Sequence, residues 1–400
     1  MSNLKNNLTW VEINKASLIN NIRLFRGLIG RKTILAPCVK ANAYGHDMVK
    51  TAKIALAAGA DWLNVNAVFE AVELRKAGIK SPIYIMGYVM KKDIADAVRL
   101  NCRLVAYNKE TIAELGKATK RLHKKAIIHL KIETGNNRQG ILMGNLMDFV
   151  EYVKKFPQIT IEGISTHFAN IEDISVSEAK RFLKNKNSEK SFQLAAYPLF
   201  QLENFRHAIA LLKNAGINVP IRHCANSAAT MLFPETHFDM VRPGIAFYGL
   251  WPSEETKVAF QKMHKGAKLM PVLSWRTRIA QIKNVSAGSY IGYGCTYRAK
   301  KNMKIAILPI GYYDGFDRGF SNKGYVLIRG KRAKICGRVC MNITMVDVTD
   351  IPSARVEDTA TLLGKDGREE ITADELAQIA GTINYEITTR INEKIPRIVI

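Results

Sequence analysis

Long apolar runs are the first thing this sequence of 400 residues lacks: no run of about eighteen apolar residues occurs, which excludes a membrane-spanning helix. The opening residues, MSNLKNNLTWVEI, lack the apolar stretch of a signal peptide, so we expect none. The six cysteines form no CxxC pair, and no zinc-ligand spacing is present. We therefore expect a cytoplasmic protein with free thiols, without a metal site and without a membrane partner.

Acidic residues are also scarce, because 35 Asp and Glu stand against 59 Lys and Arg, which gives a formal net charge of +24. A charge of this size is compatible with nucleic-acid binding. The basic residues are nevertheless spread along the chain, and the clusters at 120–125 and 180–190 come without any nucleic-acid-binding motif. We interpret them as a solvated surface and expect no nucleic-acid partner. The positive charge also suits anionic small molecules, including cofactors that carry a phosphate.

Short β-rich runs alternate with helical patterns through the first 250 or so residues. An opening strand at 9–13 is followed by Leu18, Ile22, Phe25 and Ile29, which lie on one face of a helix. Eight further strands are predicted at 33–40, 62–66, 82–87, 103–107, 126–133, 161–167, 221–227 and 240–249. Eight strand–helix units predict an α/β fold of the (β/α)8 or TIM-barrel type. A doubly wound open sheet is the alternative.

The texture of the sequence changes near residue 256, where short strands become separated by Gly, Asn and Asp turns. One clear helix is predicted there, at 374–383, with Thr372 as its cap. We therefore expect a barrel domain over 1–255 and a mostly β C-terminal domain over 256–400, joined by a linker at 251–269. Residues 1–14 are a candidate for packing on the β domain. The long connection at 168–220 predicts an insertion near 170–200, followed by a helix.

Polar residues follow several of the predicted barrel strands, at the end where such barrels carry their function. They are Lys40, Arg138, His167, Asn226 with Ser227, and Arg242 with Gly244. A lysine that ends an apolar strand is desolvated, which frees its amine to act as a nucleophile and to form a Schiff base with a carbonyl cofactor. Ser227 and the backbone amides around Gly244 could bind a phosphate. Together these features suggest pyridoxal 5′-phosphate.

Several motifs carry a resemblance to a known family. They are VKANAYGHD (39–47), THFA (166–169), HCANSAA (223–229), VRPGIAFYG (241–249), GYGCTY (292–297), GYYDGF (311–316), GRVCMN (337–342) and the terminal TINYEITTRINEKIPRIV. Their identity and order, from residue 33 to 399, resemble the alanine racemase family. The EPGR motif of related decarboxylases is absent. The resemblance implies a homodimeric, pyridoxal-phosphate-dependent isomerase that interconverts L- and D-alanine and supplies D-alanine for peptidoglycan.

The resemblance also implies the roles of individual residues. Lys40 and Tyr293 would be the two bases, one on each face of the substrate carbon, with Tyr293 and Met341 supplied by the second chain. Arg242 would face the pyridine nitrogen, and His167 would connect it to the tyrosine. The phosphate contacts would be Tyr44, Ser227, Gly244, Ile245 and Tyr385. Arg138, Met341 and Tyr312 would position the substrate, and Lys131 is a candidate for carbamylation that braces Arg138.

The sequence departs from the family pattern at the substrate entrance. Asn342 stands where an aspartate usually follows CM, and the arginine segment reads TGNNRQG, with Gln139, rather than TGMGR. These changes leave open a broad-spectrum racemase that acts on larger or basic amino acids. Crowding by Tyr293, Tyr312 and Tyr385 favours alanine. A cofactor-carrying barrel without catalysis is a further alternative, against which the second domain and GYGCTY argue.

Overall fold

The computed structural model describes residues 7–173 and 192–400, which divide into two compact units. The β-rich unit comprises the described residues up to Ser17, Tyr44–Asp47 and Pro271–Ile400. It includes the first strand, β1 (Thr9–Ile13). The barrel unit comprises Leu18–Ala43 and the described residues from Met48 to Met270. The domain boundary expected after residue 255 lies before the one found here, which follows Met270. Helix Glu254–Met263 therefore belongs to the barrel unit.

Eight short parallel strands form the core of the barrel unit among the described residues. They are β2 (Ile34–Leu35), β3 (Leu63–Val65), β4 (Ile83–Ile85), β5 (Arg103–Ala106), β6 (Ala126–Lys131), β7 (Ile159–Ser165), β8 (Ile221–His223) and β9 (Met240–Val241). Strands β3 to β8 pair in sequence order, and β2 pairs with β9. Seven of them lie within predicted runs and β7 begins two residues before its run, so the eight predicted strands are confirmed in number and order.

Two further contacts close these strands into a barrel. Beside β3, Cys38 forms a parallel bridge with Asn64, and the Val39 amide donates to the Asn64 carbonyl at 2.8 Å. Beside β9, the Asp239 amide donates to the Arg222 carbonyl at 3.1 Å. Because every strand thus has a neighbour on both sides, the (β/α)8 prediction is confirmed and the open doubly wound sheet is excluded.

Helices cover the outside of the barrel and end where the sequence suggests. They are Lys15–Ile29, Met48–Ala57, Val68–Lys76, Ile94–Arg99, Lys109–Leu122, Leu146–Lys154, Phe192–Asn214 and Ser227–Leu232. The predicted stripe on the first helix is buried, with Leu18, Ile22 and Phe25 fully inaccessible. Part of the predicted insertion, residues 174–191, lies outside the described residues. Among those described, no helix has the length and apolar composition needed to cross a bilayer.

The β-rich unit contains two larger sheets and a hairpin. Its further strands are β10 (Leu273–Arg278), β11 (Gln281–Val285), β12 (Tyr290–Ile291), β13 (Tyr297–Arg298), β14 (Met303–Leu308), β15 (Tyr325–Ile328), β16 (Lys331–Lys334), β17 (Thr344–Asp347), β18 (Thr359–Asp366), β19 (Glu369–Ile371) and β20 (Arg397–Val399). One sheet has the order β16-β15-β18-β10-β1-β20, with β19 beside β18; the other has the order β11-β14-β17. β1 therefore pairs within this unit, antiparallel to β10 and parallel to β20.

The helices near and after residue 256 differ from the prediction. Helix Ala373–Ala380 is confirmed, with the Thr372 hydroxyl accepting from the Glu375 amide at 3.0 Å. A second helix, Asn384–Thr389, was not predicted, because its β-branched residues mask the helical pattern. The predicted linker contains helix Glu254–Met263, which the Ser253 hydroxyl caps by accepting from the Thr256 amide at 3.0 Å.

Candidate active site

Lys40 lies five residues after the end of β2 and begins an unusual backbone turn. Hydrogen bonds to both neighbouring segments continue to Val39, because Cys38 donates to the Pro243 carbonyl at 2.9 Å and Val39 donates to the Asn64 carbonyl at 2.8 Å. Ala41 to Tyr44 then have φ values of 53°, 51°, 55° and 54°, the left-handed region. This conformation costs an L-residue roughly 1–2 kcal/mol, so the contacts around the turn must hold it. The strand that we expected to run to residue 40 therefore ends at Leu35, and a left-handed turn follows Lys40.

Five basic side chains lie within electrostatic reach of one another at the carboxyl ends of the barrel strands. Burial, followed by the charges of Lys131 and Arg242, holds the pKa of His167 well below its ordinary value, with smaller effects from Arg138 and Lys40. Burial and the two arginines likewise hold the pKa of the Lys131 amine well below its usual range. The barrel mouth therefore brings five predicted residues together in a strongly positive region. Such a region suits an anionic ligand.

Arg242 is almost completely buried and is held from three sides. Its Nη2 donates to the Thr166 carbonyl at 2.9 Å and to the Cys224 carbonyl at 3.5 Å. Its Nη1 donates to Nδ1 of His223. An arginine has only donors, so Nδ1 of His223 must be the acceptor and its proton must lie on Nε2. The guanidinium is thus fixed in orientation by one particular histidine tautomer.

The hydrogen-bond chain continues from His223 across the barrel interior. His223 Nε2 lies 2.7 Å from His129 Nδ1, and His129 Nε2 lies 3.1 Å from the Glu162 carboxylate. Glu162 also accepts from Arg103, at 3.0 Å and 3.2 Å. With the tautomer set by Arg242, each N–H in the two imidazoles points away from Arg242 and towards Glu162. We call these five side chains the Arg242–Glu162 relay.

The two relay histidines are neutral links. Both are fully buried, and this burial lowers the pKa of His129 and holds the pKa of His223 well below its ordinary value. Burial alone would raise the pKa of Glu162, but its hydrogen bonds from His129 and Arg103 outweigh that effect and lower it. The His129–Glu162 contact is therefore a hydrogen bond from a neutral imidazole to a carboxylate. Glu162 is the charged end that fixes the direction of the relay.

Ser227 lies where two helical segments begin. Its Oγ accepts from the Gly244 amide at 2.8 Å and from the Ala246 amide at 3.3 Å. Ser227 begins its helix and Ile245 begins a 3-10 turn, so backbone N–H groups converge here. A hydroxyl, converging amides and a positive surrounding form a donor set that fits a phosphate group. The predicted residues Ser227, Gly244 and Ile245 are therefore brought together.

Arg138 projects from a loop that a carboxylate organises. Glu133 accepts from the Gly135 amide at 2.6 Å and from the Arg138 amide at 3.2 Å. Arg138 itself is exposed. Gln139, one of the departures from the family pattern, donates from Nε2 to the Tyr107 hydroxyl at 3.2 Å. This contact ties the loop after β6 to the residue that follows β5.

Tyr44 and Tyr385 lie together in the β-rich unit, with ring centroids 6.1 Å apart. The glycine that follows Tyr44 is required by the packing. Gly45 has φ of 87°, and a Cβ there would lie 2.0 Å from the Thr388 carbonyl oxygen. The glycine of the YGHD segment therefore allows the backbone to approach the helix that carries Tyr385.

Tyr293, Tyr312 and Met341 are exposed in the β-rich unit, with exposed fractions of 73%, 44% and 55%. Tyr312 and Met341 lie on neighbouring segments, because the amides of Tyr312 and Tyr313 donate to the carbonyls of Cys340 and Met341, both at 3.0 Å. We call Tyr293, Tyr312 and Met341 the exposed aromatic surface. Within one chain these side chains remain open to solvent.

Asn342 follows Met341 and lies beside a carboxylate. Its Nδ2 is 3.4 Å from Oδ2 of Asp314, and the same oxygen accepts from the Gly311 amide at 3.0 Å. An aspartate at position 342 would place a second carboxylate at this distance and would be repelled. The amide is therefore compatible with the Asp314 charge, so this part of the molecule keeps a carboxylate.

Sequence reasoning missed the relay members beyond Arg242 and a buried acid, Glu70. The sequence nevertheless contains a weak signal for two of the relay members. His129 and Glu162 are polar residues in the middle of strands β6 and β7, and an ionisable side chain in a buried strand needs a partner. Glu70 is 4% exposed and accepts from the Ala41 amide at 2.7 Å.

Comparison with known proteins agrees with this geometry. The model for "Alanine racemase, N-terminal domain" matches residues 13–252, and that for "Alanine racemase, C-terminal domain" matches residues 272–399. The alanine racemase of Leptospira interrogans is 41% identical over 394 residues, covering 98% of this chain and 96% of the relative. That of Methanococcus maripaludis is 40% identical over 391 residues, covering 97% and 98%.

A solved structure extends the similarity to three dimensions. The alanine racemase from Bacillus anthracis with bound L-Ala-P has a TM-score of 0.87 and 36% identity, over 98% of this chain and 95% of that one. The similarity covers both units and both sets of predicted motifs. This chain belongs to the alanine racemase family.

Proposed function

We propose that the protein interconverts L- and D-alanine with bound pyridoxal 5′-phosphate and supplies D-alanine for peptidoglycan. The observation that carries the proposal is Lys40 in the segment after β2, near Lys131, His167 and Arg242, in a chain that matches alanine racemases over almost its full length. The relatives described above are all alanine racemases, which favours alanine over the broad-spectrum alternative.

The residues at the barrel mouth fit this cofactor. Lys40 would attach it covalently, Ser227, Gly244 and Ile245 would hold its phosphate, and the resemblance adds Tyr44 and Tyr385 as phosphate contacts. When bound, the cofactor supplies an electron-withdrawing group that makes the hydrogen on the substrate carbon acidic.

Arg242 would control how strongly electrons are withdrawn. An arginine guanidinium does not give up a proton at ordinary pH, so Arg242 would donate a hydrogen bond to the ring nitrogen without protonating it. The cofactor would then withdraw electrons less strongly from the substrate carbon, which favours return of the proton to that carbon. The relay supports this role, because Thr166 and the neutral His223 fix the guanidinium in orientation.

Two bases would exchange the proton on opposite faces. The Lys40 amine serves one face, and Tyr293 from a second copy of the chain serves the other. A free tyrosine has a pKa near about 10 and needs positive charge nearby to ionise. Arg242 would supply that charge through a neutral His167, because His167 lies within the electrostatic reach of Arg242.

Arg138 would bind the substrate carboxylate, with Met341 and Tyr312 of the second chain limiting the space for its side chain. Lys131 would be carbamylated. Its low pKa favours the neutral amine, which is the form that reacts with carbon dioxide, and the carbamate would place a negative charge between Arg138 and Arg242.

We also propose a homodimer with shared active sites that works in the cytoplasm. The exposed aromatic surface supports the dimer, because large apolar side chains exposed together commonly mark an interface. The six free cysteines support a reducing compartment.

A chiral assay tests the proposed activity. Purified protein loaded with pyridoxal phosphate is incubated separately with each common L-amino acid, and the D-enantiomer is measured by chiral chromatography. We expect D-alanine from L-alanine, and L-alanine from D-alanine, with Lys40→Ala inactive in both directions. Absence of racemisation for every amino acid would refute the racemase, and equal turnover of lysine or arginine would refute alanine specificity.

A further inference from the structure

Glu70 lies far from Lys40 in sequence but contacts the residue next to it. It is the third residue of helix Val68–Lys76, and only 4% of the residue is exposed. Oε2 accepts from the amides of Asn66 and Ala67, at 2.6 Å and 2.9 Å. An acidic residue at this position commonly caps a helix in this way. Oε1, however, accepts from the Ala41 amide at 2.7 Å, which lies outside the helix.

The hydrogen bond from the Ala41 amide to Glu70 matters because it helps to hold the left-handed turn after Lys40. Ala41 to Tyr44 contain no glycine, so the turn does not persist by backbone preference. Three hydrogen bonds hold it among the residues of the barrel unit. The Ala43 amide donates to the Val39 carbonyl at 2.9 Å, the Met48 amide donates to Asn42 Oδ1 at 2.8 Å, and the Ala41 amide donates to Glu70.

The bond to Glu70 acts on the peptide that joins Lys40 to Ala41. Because a peptide group is planar, fixing the Ala41 N–H also fixes the Lys40 carbonyl and hence ψ of Lys40. The peptide on the other side of Lys40 is held through the Val39 carbonyl, which accepts from the Ala43 amide at 2.9 Å. Both peptides that flank Lys40 are therefore anchored. One peptide earlier, the Val39 amide donates to the Asn64 carbonyl of β3, so Glu70 and Asn64 come from the same neighbouring strand–helix unit.

We propose that Glu70 is a positioning residue for Lys40, which uses Oε2 to cap its helix and Oε1 to aim the lysine backbone into the barrel mouth. The inference rests on the proposed role of Lys40. It adds a buried carboxylate that acts on Lys40 through the backbone, and it predicts that the two oxygens of Glu70 have separable effects.

Glu70→Asp separates these two effects. An aspartate keeps the negative charge in the first helical turn, where it still favours the helix. It is shorter by one methylene group, so it no longer reaches both the helix amides and Ala41. Asn108→Ala is the matched control, because Asn108 caps helix Lys109–Leu122 of the same barrel through the Thr111 amide at 2.9 Å. It removes a cap without touching Lys40.

Hydrogen exchange followed by mass spectrometry, on the cofactor-free full chain, reads the turn directly. We expect the Ala41 amide to be protected in the wild type and to exchange at least tenfold faster in Glu70→Asp, with no change in Asn108→Ala. Because this readout needs no catalysis, it holds even if the proposed activity is wrong. An unprotected wild-type Ala41 amide would overturn the proposal even if the variants failed to fold.

The rate of covalent attachment of pyridoxal phosphate reports whether Lys40 is correctly positioned. The attached cofactor is trapped with borohydride and located by peptide mapping. We expect Glu70→Asp to attach it at least tenfold more slowly and to lower kcat more than it changes KM. The attachment rate of Glu70→Gln should fall between those of the wild type and Glu70→Asp. Its single carbonyl oxygen can accept either from the helix amides or from the Ala41 amide, but not from both. Wild-type exchange and attachment rates in folded Glu70→Asp, or equal effects in Asn108→Ala, would show that Glu70 only caps a helix.

Discussion

Glu162→Ala is the perturbation that tests the Arg242–Glu162 relay most severely. The substitution removes the acceptor of the His129 Nε2–H, at 3.1 Å, and of two N–H groups of Arg103. His129 is fully buried, so its N–H would lose its only relay partner on that side. Arg242 still requires an acceptor at His223 Nδ1, so both imidazoles keep their tautomers and the buried His129 Nε2–H is left without its carboxylate acceptor.

The expected loss of stability can be worked from these contacts. A hydrogen bond from the buried imidazole to a carboxylate contributes about 1.5–3 kcal/mol. The Arg103–Glu162 pair adds about 0.5–1 kcal/mol, because its side chains keep 14% and 20% of their exposure and water screens them. We therefore expect Glu162→Ala to lower the free energy of unfolding by about 2–4 kcal/mol. Glu162→Gln keeps one acceptor and should lose about half of that.

Urea unfolding and imidazole NMR together measure the effect. Glu151→Ala is the control, because Glu151 forms an exposed helical ion pair with Lys154 at 2.7 Å and should contribute almost nothing. In ¹⁵N-histidine-labelled protein we expect His223 and His129 to be neutral with the proton on Nε2, and Glu162→Ala to shift the His129 Nε2 resonance without changing either tautomer. A loss no larger than that of Glu151→Ala, or a wild-type His129 with its proton on Nδ1, would refute the relay.

Burial lowers the pKa of His129 and His223, so the unfolded state binds more protons than the folded state. The free energy of unfolding should therefore be highest above about pH 6.5 and should decrease as the pH falls below it. A urea midpoint that stays constant between about pH 7.5 and pH 5.5 would contradict this. Removing dissolved carbon dioxide and bicarbonate should lower the activity if Lys131 is carbamylated, whereas Lys131→Met should show no such dependence; equal responses would argue against the carbamate. Ala41→Gly, at φ of 53°, should raise the free energy of unfolding by about 0.5–1 kcal/mol, whereas Ala113→Gly in helix Lys109–Leu122 should lower it by about 1 kcal/mol. Equal losses in both variants would show that the turn is unstrained.

The barrel could be predicted from sequence because its signals are local. Each strand is a short apolar run, and Gly59, Gly78 and Gly216, all with positive φ, follow helices where the pattern indicates. Polar residues at strand ends, such as Lys40 and Ser227, could be placed near one another because parallel strands end at the same side. These predictions needed no knowledge of which strands touch.

The relay and the turn at Lys40 could not be predicted because they depend on distant residues. His129 and His223 are 94 positions apart, and Ala41 and Glu70 are 29 apart. A left-handed turn in KANAY has no glycine to mark it, and Glu70 reads as an ordinary helix cap. Only the closed barrel shows that its second oxygen belongs to the segment after Lys40.

Mixing two inactive variants tests the central claim that Lys40 and Tyr293 of different chains form one racemase site. Lys40→Ala and Tyr293→Phe chains, carrying different tags, are expressed together, and the mixed dimer is purified through both tags. One site of that dimer would contain both native residues and the other neither, so we expect about half of the wild-type alanine racemase activity per dimer. Each variant alone should be inactive. A mixed dimer as inactive as its parents would contradict the shared site, as would full activity of Tyr293→Phe by itself.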